Sequence, residues 1–367
     1  MTETTGFEID FLPVGNGDRS GDAIAIRYGT PGNYKVLVYD GGTKDSGQAL
    51  VDHIKEHYGT SRVDHVVNSH PDGDHASGLS VIMEQMEVGE LWLHRPWQYS
   101  NVILNYFKDG RITDNSLAER LKEKMAAAYA LEQLAQKNNV PIYEPYQGAT
   151  VGNFTVLSPE KDWYIHTLIA EFTKSPEQKA SATNATGLLG ALTKAAAAAA
   201  AWVTEHWGVE SLREDVQTSA ENESSVILFG QLSDKGILLT GDAGIRALTV
   251  TADYSETNGI FLPNRLDFVQ VPHHGSRNNV STSSLDRIIG PRKASNDGFM
   301  NKTAYVSAGK ESTTHPRKAV TNAFIRRGAT VVATQGQTKC YTHNMPQRPG
   351  WGPAAALGFS AVVESWD

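Results

Sequence analysis

Cysteine is almost absent from this chain. Among 367 residues there is one, Cys340, which excludes an intrachain disulfide and a cysteine-based zinc site and fits a reducing compartment. Long apolar runs are lacking too, and Met1-Thr2-Glu3-Thr4-Thr5-Gly6 has neither a basic start nor an apolar stretch. No membrane span and no secretory leader are therefore expected. Nor is there an excess of basic residues. The formal net charge is -8, so nothing in the overall balance attracts a nucleic-acid duplex, and a polyanion would need a local basic patch or bound cations. What the chain does have is length and 40% hydrophobic residues, enough for one large core or two modest ones. A soluble, cytoplasmic, globular protein is expected.

The densest chemistry lies in Ser69-His70-Pro71-Asp72-Gly73-Asp74-His75-Ala76-Ser77-Gly78, directly after the apolar run Val63 to Val67. His70, Asp72, Asp74 and His75 crowd the exit of what reads as a buried strand. Such groups desolvate and repel one another unless a cation sits among them. Alternate residues of a loop closing a strand can point to one side, so His70, Asp72 and Asp74 can converge while His75 turns into the following helix. That arrangement suits two neighbouring ions. The competing reading is a polar turn with aspartate as a helix cap. Two further strand ends weigh against it: Gly241-Asp242 closes Gly236 to Thr240, and His273-His274-Gly275-Ser276 follows Phe268 to Val271 and Pro272.

Each of these ends suggests a role. A carboxylate at Asp242 has the reach to bridge two cations at the roughly 3.5–4 Å spacing that two-metal hydrolysis needs. Adjacent side chains on an extended segment point opposite ways, so His273 and His274 are not expected on the same ion, and His274 is the favoured ligand. Ser276 and Arg277, with Asn278, are donors suited to a phosphate oxygen. His315, at the start of the helical pattern Pro316 to Arg327, can complete the second ion or protonate a leaving group. His53, His57 and His65 lie away from strand exits and read as packing or surface residues. His94 ends a strand and reads as structural or substrate-contacting.

Taken in order, strands are expected over Phe7 to Val14, Ala23 to Tyr28, Tyr34 to Tyr39, Val63 to Val67 and Glu90 to His94, with helices over Gln48 to His57 and Ala76 to Met86. This β-α-β-α order marks a layered α/β fold. The middle of the chain changes character. Ser116 to Asn138 reads as one long helix, Pro141 to Glu144 and Ala149 to Leu157 as strands, and Lys161 to Val216 as a helix-rich stretch containing Ala195 to Ala201. Helical insertions are thus expected at about 97–140 and 160–218, forming a lid over the site, a homodimer surface or extra core. Further strands are expected at Asn222 to Leu228, Ile237 to Thr240, Leu266 to Val271 and Thr303 to Ser307. Thr330 to Ala333 is expected as the last strand, with His343 incidental.

The order H-x-D-x-D-H, then T-G-D, then H-H-G-S resembles the metallo-β-lactamase superfamily. Within it, the order resembles the hydrolase domain at the C-terminus of ComEC-type DNA-uptake competence proteins, which also carry aspartate where Asp72 stands. Phe11 to Ile26, Val36 to Gly42, Asn222 to Leu228 and Val306 to Gly309 with His315-Pro316 resemble other parts of that branch, so the likeness spans roughly residues 7–95 and 220–335. It implies a four-layer αβ/βα sandwich as a single domain over 1–367, with the helical insertions added. It implies two divalent ions, Zn2+ or Mn2+, one held by His70, Asp72 and Asp242 and the other by Asp74, His75, Asp242 and a later histidine. Asn222 lies where the superfamily carries another histidine; an amide oxygen is a poor ligand, so that side should be open to water or substrate. Asp40 lies where the family has an outer-shell group, although capping a turn explains it as well. The function implied is metal-dependent hydrolysis through a hydroxide between the ions, with Asp74 and His315 in catalytic roles. Carboxylate donors favour a phosphodiester, in a nucleic acid or a nucleotide. A lactone, β-lactam or thioester hydrolase and a non-catalytic assembly component are the alternatives.

Overall fold

The computed structural model describes residues 5–17, 21–107, 111–172 and 202–366. Its frame is two seven-stranded sheets. The first is built from β1 (Gly6–Phe11), β2 (Ala23–Thr30), β3 (Asn33–Gly41), β4 (Arg62–Val67), β5 (Glu87–Trp92), β6 (Ile142–Tyr143) and β15 (Lys339–His343), in the order β15-β1-β2-β3-β4-β5-β6. The second contains β7 (Thr150–Val151), β8 (Phe154–Ser158), β10 (Ile227–Leu232), β11 (Lys235–Leu239), β12 (Leu266–Gln270), β13 (Lys302–Val306) and β14 (Ala329–Ala333), in the order β14-β13-β12-β11-β10-β8-β7. Each sheet is antiparallel in one half and parallel in the other: β3 to β6 run parallel in the first, and β11 to β14 in the second. A small third sheet pairs β9 (Trp202–Thr204) with β16 (Val362–Glu364).

The two-residue period of the strands sorts side chains into layers. Phe7, Ile9 and Phe11 of β1, Leu37 and Tyr39 of β3, and Ile237 and Leu239 of β11 enter one core between the sheets. Val36 and Val38 point the other way, into a cluster with α1 (Lys44–His53) and α2 (Gly73–Gln85). Leu238 and Val269 likewise face α5 (Ile245–Thr257), α6 (Thr282–Ile288) and α7 (Lys318–Arg326). Helix, sheet, sheet, helix is therefore the layer order, and each large apolar side chain so buried contributes about 1.5–3 kcal/mol. Glycine sets the closest approach. A Cβ on Gly78 would lie 1.9 Å from the Gly41 carbonyl oxygen, so α2 rests directly on the end of β3, with Gly78 N–H donating to Gly42 O at 2.9 Å.

Four expectations change. The strand expected over Asn222 to Leu228 begins only at Ile227, because Ala220–Glu223 is a helical turn. The pattern Ser116 to Asn138 is two helices, α3 (Asp114–Lys124) and α4 (Ala126–Lys137), broken at Met125. A straight rod of that length would run about 35 Å; the bend lets Leu117, Leu121, Met125, Leu131 and Ala135 all reach one apolar cluster. Beyond Thr330 to Ala333 two more strands follow, because Lys339 to His343 fills the free edge of β1. In the second insertion, residues 161–171 are helical but 202–216 carry only β9 and irregular chain; the run Ala195 to Ala201 lies outside the described residues. Among the described residues no helix is long and apolar enough to cross a membrane.

Candidate metal centre

The parallel halves of both sheets end at the same place. Asp40 closes β3, His70 follows β4, Asp242 follows β11, and His273 and His274 follow β12. Ligand sites in such sheets form at the carboxyl ends of the strands, and here two sheets contribute to one.

At its centre is the Asp242 carboxylate, 6% exposed. Around its Oδ2 stand His75 Nε2 at 3.4 Å, His273 Nε2 at 3.7 Å and His70 Nε2 at 3.8 Å. His274 joins them: donor atoms of His75, Asp242 and His274 all lie within 4.8 Å of one another. Asp72 Oδ2 is 3.7 Å from His70 Nε2. Although Asp72 occupies the N-cap position of α2, its side chain makes no cap bond, so capping does not account for it. Asp74 sits half-buried in the first turn of α2 and is in neither of the converging groups.

The other edge of each imidazole is committed. His75 Nδ1 lies 2.9 Å from Asp40 Oδ2 and donates to it. Asp40 Oδ2 also accepts the Ser69 hydroxyl at 2.5 Å, so Ser69 Oγ is left to accept from His70 Nδ1 at 2.9 Å. His274 Nδ1 donates to the Ser307 carbonyl at 3.1 Å. His273 Nδ1 is 3.0 Å from Asn279 Oδ1, and the amide nitrogen of Asn279 already donates to the Asp242 and Ala243 carbonyls at 2.8 and 3.3 Å. Each ring is therefore anchored through hydrogen on Nδ1 and turns its Nε2 edge inward, the edge a metal would take. Asp40, His70 and His75 also place three donor atoms close together, but the Asp40–His75 contact is at hydrogen-bond length. That group orients the ligands and leaves no room for an ion.

The donor set fits a cation. His70 Nε2, His75 Nε2 and Asp242 Oδ1 are buried without hydrogen-bond partners, and such groups are costly to leave unsatisfied. Electrostatics agree. Burial alone would lower His75, yet Asp242 and Asp40 hold its pKa well above the ordinary value. Burial would raise Asp242, but His273, His75 and His274 keep it well below the usual carboxylate range. Burial, with His75, lowers His70, and burial pushes His274 down to about 4, helped by His273, His75 and His315 against Asp242. Imidazoles alone face the buried Asp242 charge, and they do so against the cost of their own burial.

Backbone strain shapes the histidine pair. His273 and His274 both adopt left-handed φ, 46° and 55°, so the segment coils where an extended chain was expected. Their rings, 5.5 Å apart at 81°, face the same carboxylate. Asp40 is left-handed as well, at φ 57°. Uncommon backbone of this kind gathers at functional sites.

The remaining predicted residues lie around this centre. Asn222, on the helical turn Ala220–Glu223, places its amide 3.0 Å from His273 Nδ1 and 2.8 Å from Thr218 Oγ1. Ser276 is buried and its hydroxyl accepts from Asn278 N–H at 3.3 Å. The Arg277 guanidinium donates to the carbonyls of Glu364 and Ser365 and lies over the Trp366 ring, held by the C-terminal strand. His315 stands on a loop folded over the histidine turn, where Arg317 N–H donates to Gly275 O at 3.1 Å, and its Nδ1 is 2.9 Å from Thr314 Oγ1. Lone-residue reasoning missed Ser69, Asn279, the Ser307 carbonyl and Asp22. Asp22 is buried and accepts from Gln270 Nε2 at 2.8 Å; burial, with the Asp242 and Asp40 charges, pushes it up to about 7 against the pull of His75. Its one signal in sequence is a carboxylate opening the apolar run Ala23 to Ile26.

Two packed mixed sheets, flanked by helices and carrying buried imidazoles and carboxylates at their shared strand ends, make an α/β sandwich with a candidate metal centre. Residues 16–100 match the family model of the metallo-beta-lactamase superfamily. The architecture, two large mixed sheets flanked by helices, is consistent with the metallo-beta-lactamase fold. No curated protein sequence matches the chain. Among solved structures, yeast PDE1 without ligand is 12% identical, with 91% of this chain and 99% of that one covered and a TM-score of 0.42. The metallo-beta-lactamase fold protein YhfI from Bacillus subtilis is 10% identical, with 92% and 100% covered and a TM-score of 0.39. A long form of RNase Z from yeast is 11% identical, with 97% and 40% covered and a TM-score of 0.30. Likenesses this remote say nothing about what this chain acts on.

Proposed function

We propose that the protein hydrolyses phosphodiesters, as a phosphodiesterase or nuclease, with two divalent ions, Zn2+ or Mn2+, at the Asp242 centre. The observation that supports it most is the inward turn of four Nε2 edges onto one buried carboxylate, each ring locked from behind. When bound, the ions supply Lewis acidity and a water whose pKa is drawn toward neutrality. The chain does the rest. Asp242 has two oxygens for two ions. Asp72 adds a second hard donor, and hard sites suit phosphoryl oxygens better than a softer all-imidazole set would. Asp40 and Ser69 hold His75 and His70 in place, as outer-shell partners do. Asp74 is assigned with His75 and Asp242 to the second ion, His315 to protonating the leaving oxygen, and Asn222 and Ser276 to substrate contact. The motif order, with aspartate at position 72, also favours the competence-protein branch, whose domain handles DNA.

The test uses the full chain loaded with Mn2+ or Zn2+ and offered bis(p-nitrophenyl) phosphate, single-stranded DNA, plasmid, nitrocefin and a lactone, beside Asp242→Ala. Metal-dependent cleavage of diesters, lost in the variant, is the expected result. Turnover of nitrocefin or the lactone alone would replace the phosphodiester reading, and no metal-dependent turnover of any of them would sink the enzyme.

A further inference from the structure

Arginine elsewhere in the molecule is matched to acid. Among the described residues every buried or half-buried arginine is ion-paired to a carboxylate except two, Arg277 and Arg317. The two exceptions are neighbours at the histidine turn. Arg317 N–H donates to Gly275 O at 3.1 Å, and a Cβ on Gly275 would lie 2.6 Å from Pro316 Cβ, so this loop rests on the residue that follows His274. Burial lowers the Arg277 pKa, and the Arg317 charge lowers it further against the pull of Glu364; the two guanidinium charges act on each other. Glu364 forms an ion pair with neither. Its oxygens accept from Lys318 N–H at 3.0 Å and Ala319 N–H at 3.4 Å, and so cap α7. Arg317 itself is the N-cap residue of α7, where serine, threonine or aspartate would serve, yet its side chain makes no cap bond. Nor does its guanidinium donate to any described residue. Arg277, by contrast, is held by two carbonyls of the C-terminal strand and the Trp366 ring, which keeps its charge beside Arg317. Like charges held together without an acid repel, and a half-buried donor without an acceptor is costly. An anion bound at Arg317 relieves both, and the planar guanidinium fork fits two oxygens of a phosphate.

We propose that Arg317 binds a phosphate group of the substrate next to the one being cleaved, with Arg277 as a fixed positive charge beside it. The scissile group has to lie on the Asp242 centre, whose inward edges are imidazole and carboxylate. Arg317 stands on the next layer of chain, the loop folded over the turn that carries His273 and His274. A substrate with successive phosphates, such as single-stranded nucleic acid, engages both places; a diester with one phosphate engages only the centre. The net charge of -8 gives no general attraction for such a polyanion, and this local pair of cations supplies what the composition lacks. The inference rests on the phosphodiester reading above and names the substrate class within it.

The experiment compares the full chain with Arg317→Ala and Arg317→Lys, with thermal melts as the check on folding. The metal-loaded proteins are assayed on bis(p-nitrophenyl) phosphate and on single-stranded DNA over a range of salt. Arg317→Ala is expected to lose roughly ten- to a hundredfold more of kcat/KM on DNA than on the one-phosphate diester, the worth of a hydrogen bond to a charged group. The loss should lie mainly in KM, and the slope of log kcat/KM against log salt should become shallower by about 0.7. Arg317→Lys keeps the charge without the fork, so it should restore the slope and only part of the affinity. Equal losses on the two substrates, or an unchanged slope in Arg317→Ala, overturn the inference while leaving the enzyme intact. A separate arm titrates the chain without added metal with inorganic phosphate, followed by phosphorus NMR. Binding weakened about tenfold in Arg317→Ala is expected, and a wild type that binds no more tightly than the variant overturns the anion site. Phosphate binding that depends on Arg317, together with equal losses on the two substrates, makes free phosphate the occupant and overturns the substrate assignment. A wild type that cleaves no diester sinks the phosphodiester reading and that assignment together, and the phosphate titration then decides the anion site by itself.

Discussion

Two buried clusters of histidine and carboxylate flank the first sheet, and only one of them asks for a metal. Around β1, Asp10 and Glu8 are 0% and 2% exposed and His53 Nε2 lies 3.2 Å from Asp10 Oδ2. Arg348 clamps Asp10 through both guanidinium nitrogens at 2.8 and 2.7 Å, Tyr58 donates to Asp10 at 2.7 Å, and Arg27 holds Glu8 at 2.7 Å. Protein cations neutralise that cluster. At the ends of β3, β4 and β11 the side chains are of the same kinds, yet none of Asp22, Asp40 and Asp242 is ion-paired to lysine or arginine among the described residues. Side-chain type alone therefore does not identify a metal site. The missing cation does, together with rings whose rear nitrogens are already committed.

The largest effect expected from breaking this contrast is at His75. His75→Ala removes the ring shared by Asp40 and Asp242; metal affinity should fall by more than about 100-fold, the upper figure for losing an outer-shell partner, and diester hydrolysis with it, as metal analysis and steady-state rates will show. Arg348→Ala attacks the other cluster. It should cost about 3 kcal/mol, the low end for breaking a buried pair, because Tyr58 still donates to Asp10 and Arg27 still holds Glu8. Urea unfolding measures the loss, and metal content should not change. Asp40→Asn keeps a residue that tolerates left-handed backbone but removes the charge behind His75 and the strong acceptor for Ser69. A 10–100-fold drop in metal affinity is expected, with stability nearly kept; equal affinity in a metal titration would show that Asp40 merely shapes the turn.

Acid should separate the clusters last and least. Burial would raise the Asp10 pKa, but hydrogen bonds and charge from His53 and Arg348 hold it well below the ordinary range. A carboxyl depressed in the folded state stabilises above its unfolded pKa, near 3.9, and that contribution fades as pH falls below about 4. Metal-free protein should accordingly lose stability in urea melts taken from pH 5 down to pH 3, and Arg348→Ala should show a shallower fall. A pH-independent difference between the two proteins would mean that Arg348 acts through packing on Trp351 and Tyr58 instead of through charge.

Much of the centre was legible because its ligands sit where apolar runs stop. His70, His75 and Asp242 follow strands that any period-two reading finds, and their chemistry is unusual enough to stand out from turn residues. Asp40 was ambiguous for the opposite reason: an aspartate before two glycines is what a turn needs. Only the 2.5–2.9 Å contacts to Ser69 and His75 separate the two roles. Arg277 looked like a phosphate donor, but a guanidinium goes to whichever acceptors lie closest, here the carbonyls of the C-terminal strand. Strand β15 was illegible because Lys339 to His343 has too little apolar character of its own and pairs with β1 from more than three hundred residues away.

The order of residues by itself determined which donors exist, that they end strands, and that no cysteine or disulfide takes part, since these are local matters of composition and period. Which donors meet was settled only by folding. The packing of two sheets brings Asp242 to His70, and the left-handed turn after β12 aims both histidines at it. Such meetings depend on contacts between distant segments and on backbone angles that no short stretch of sequence specifies.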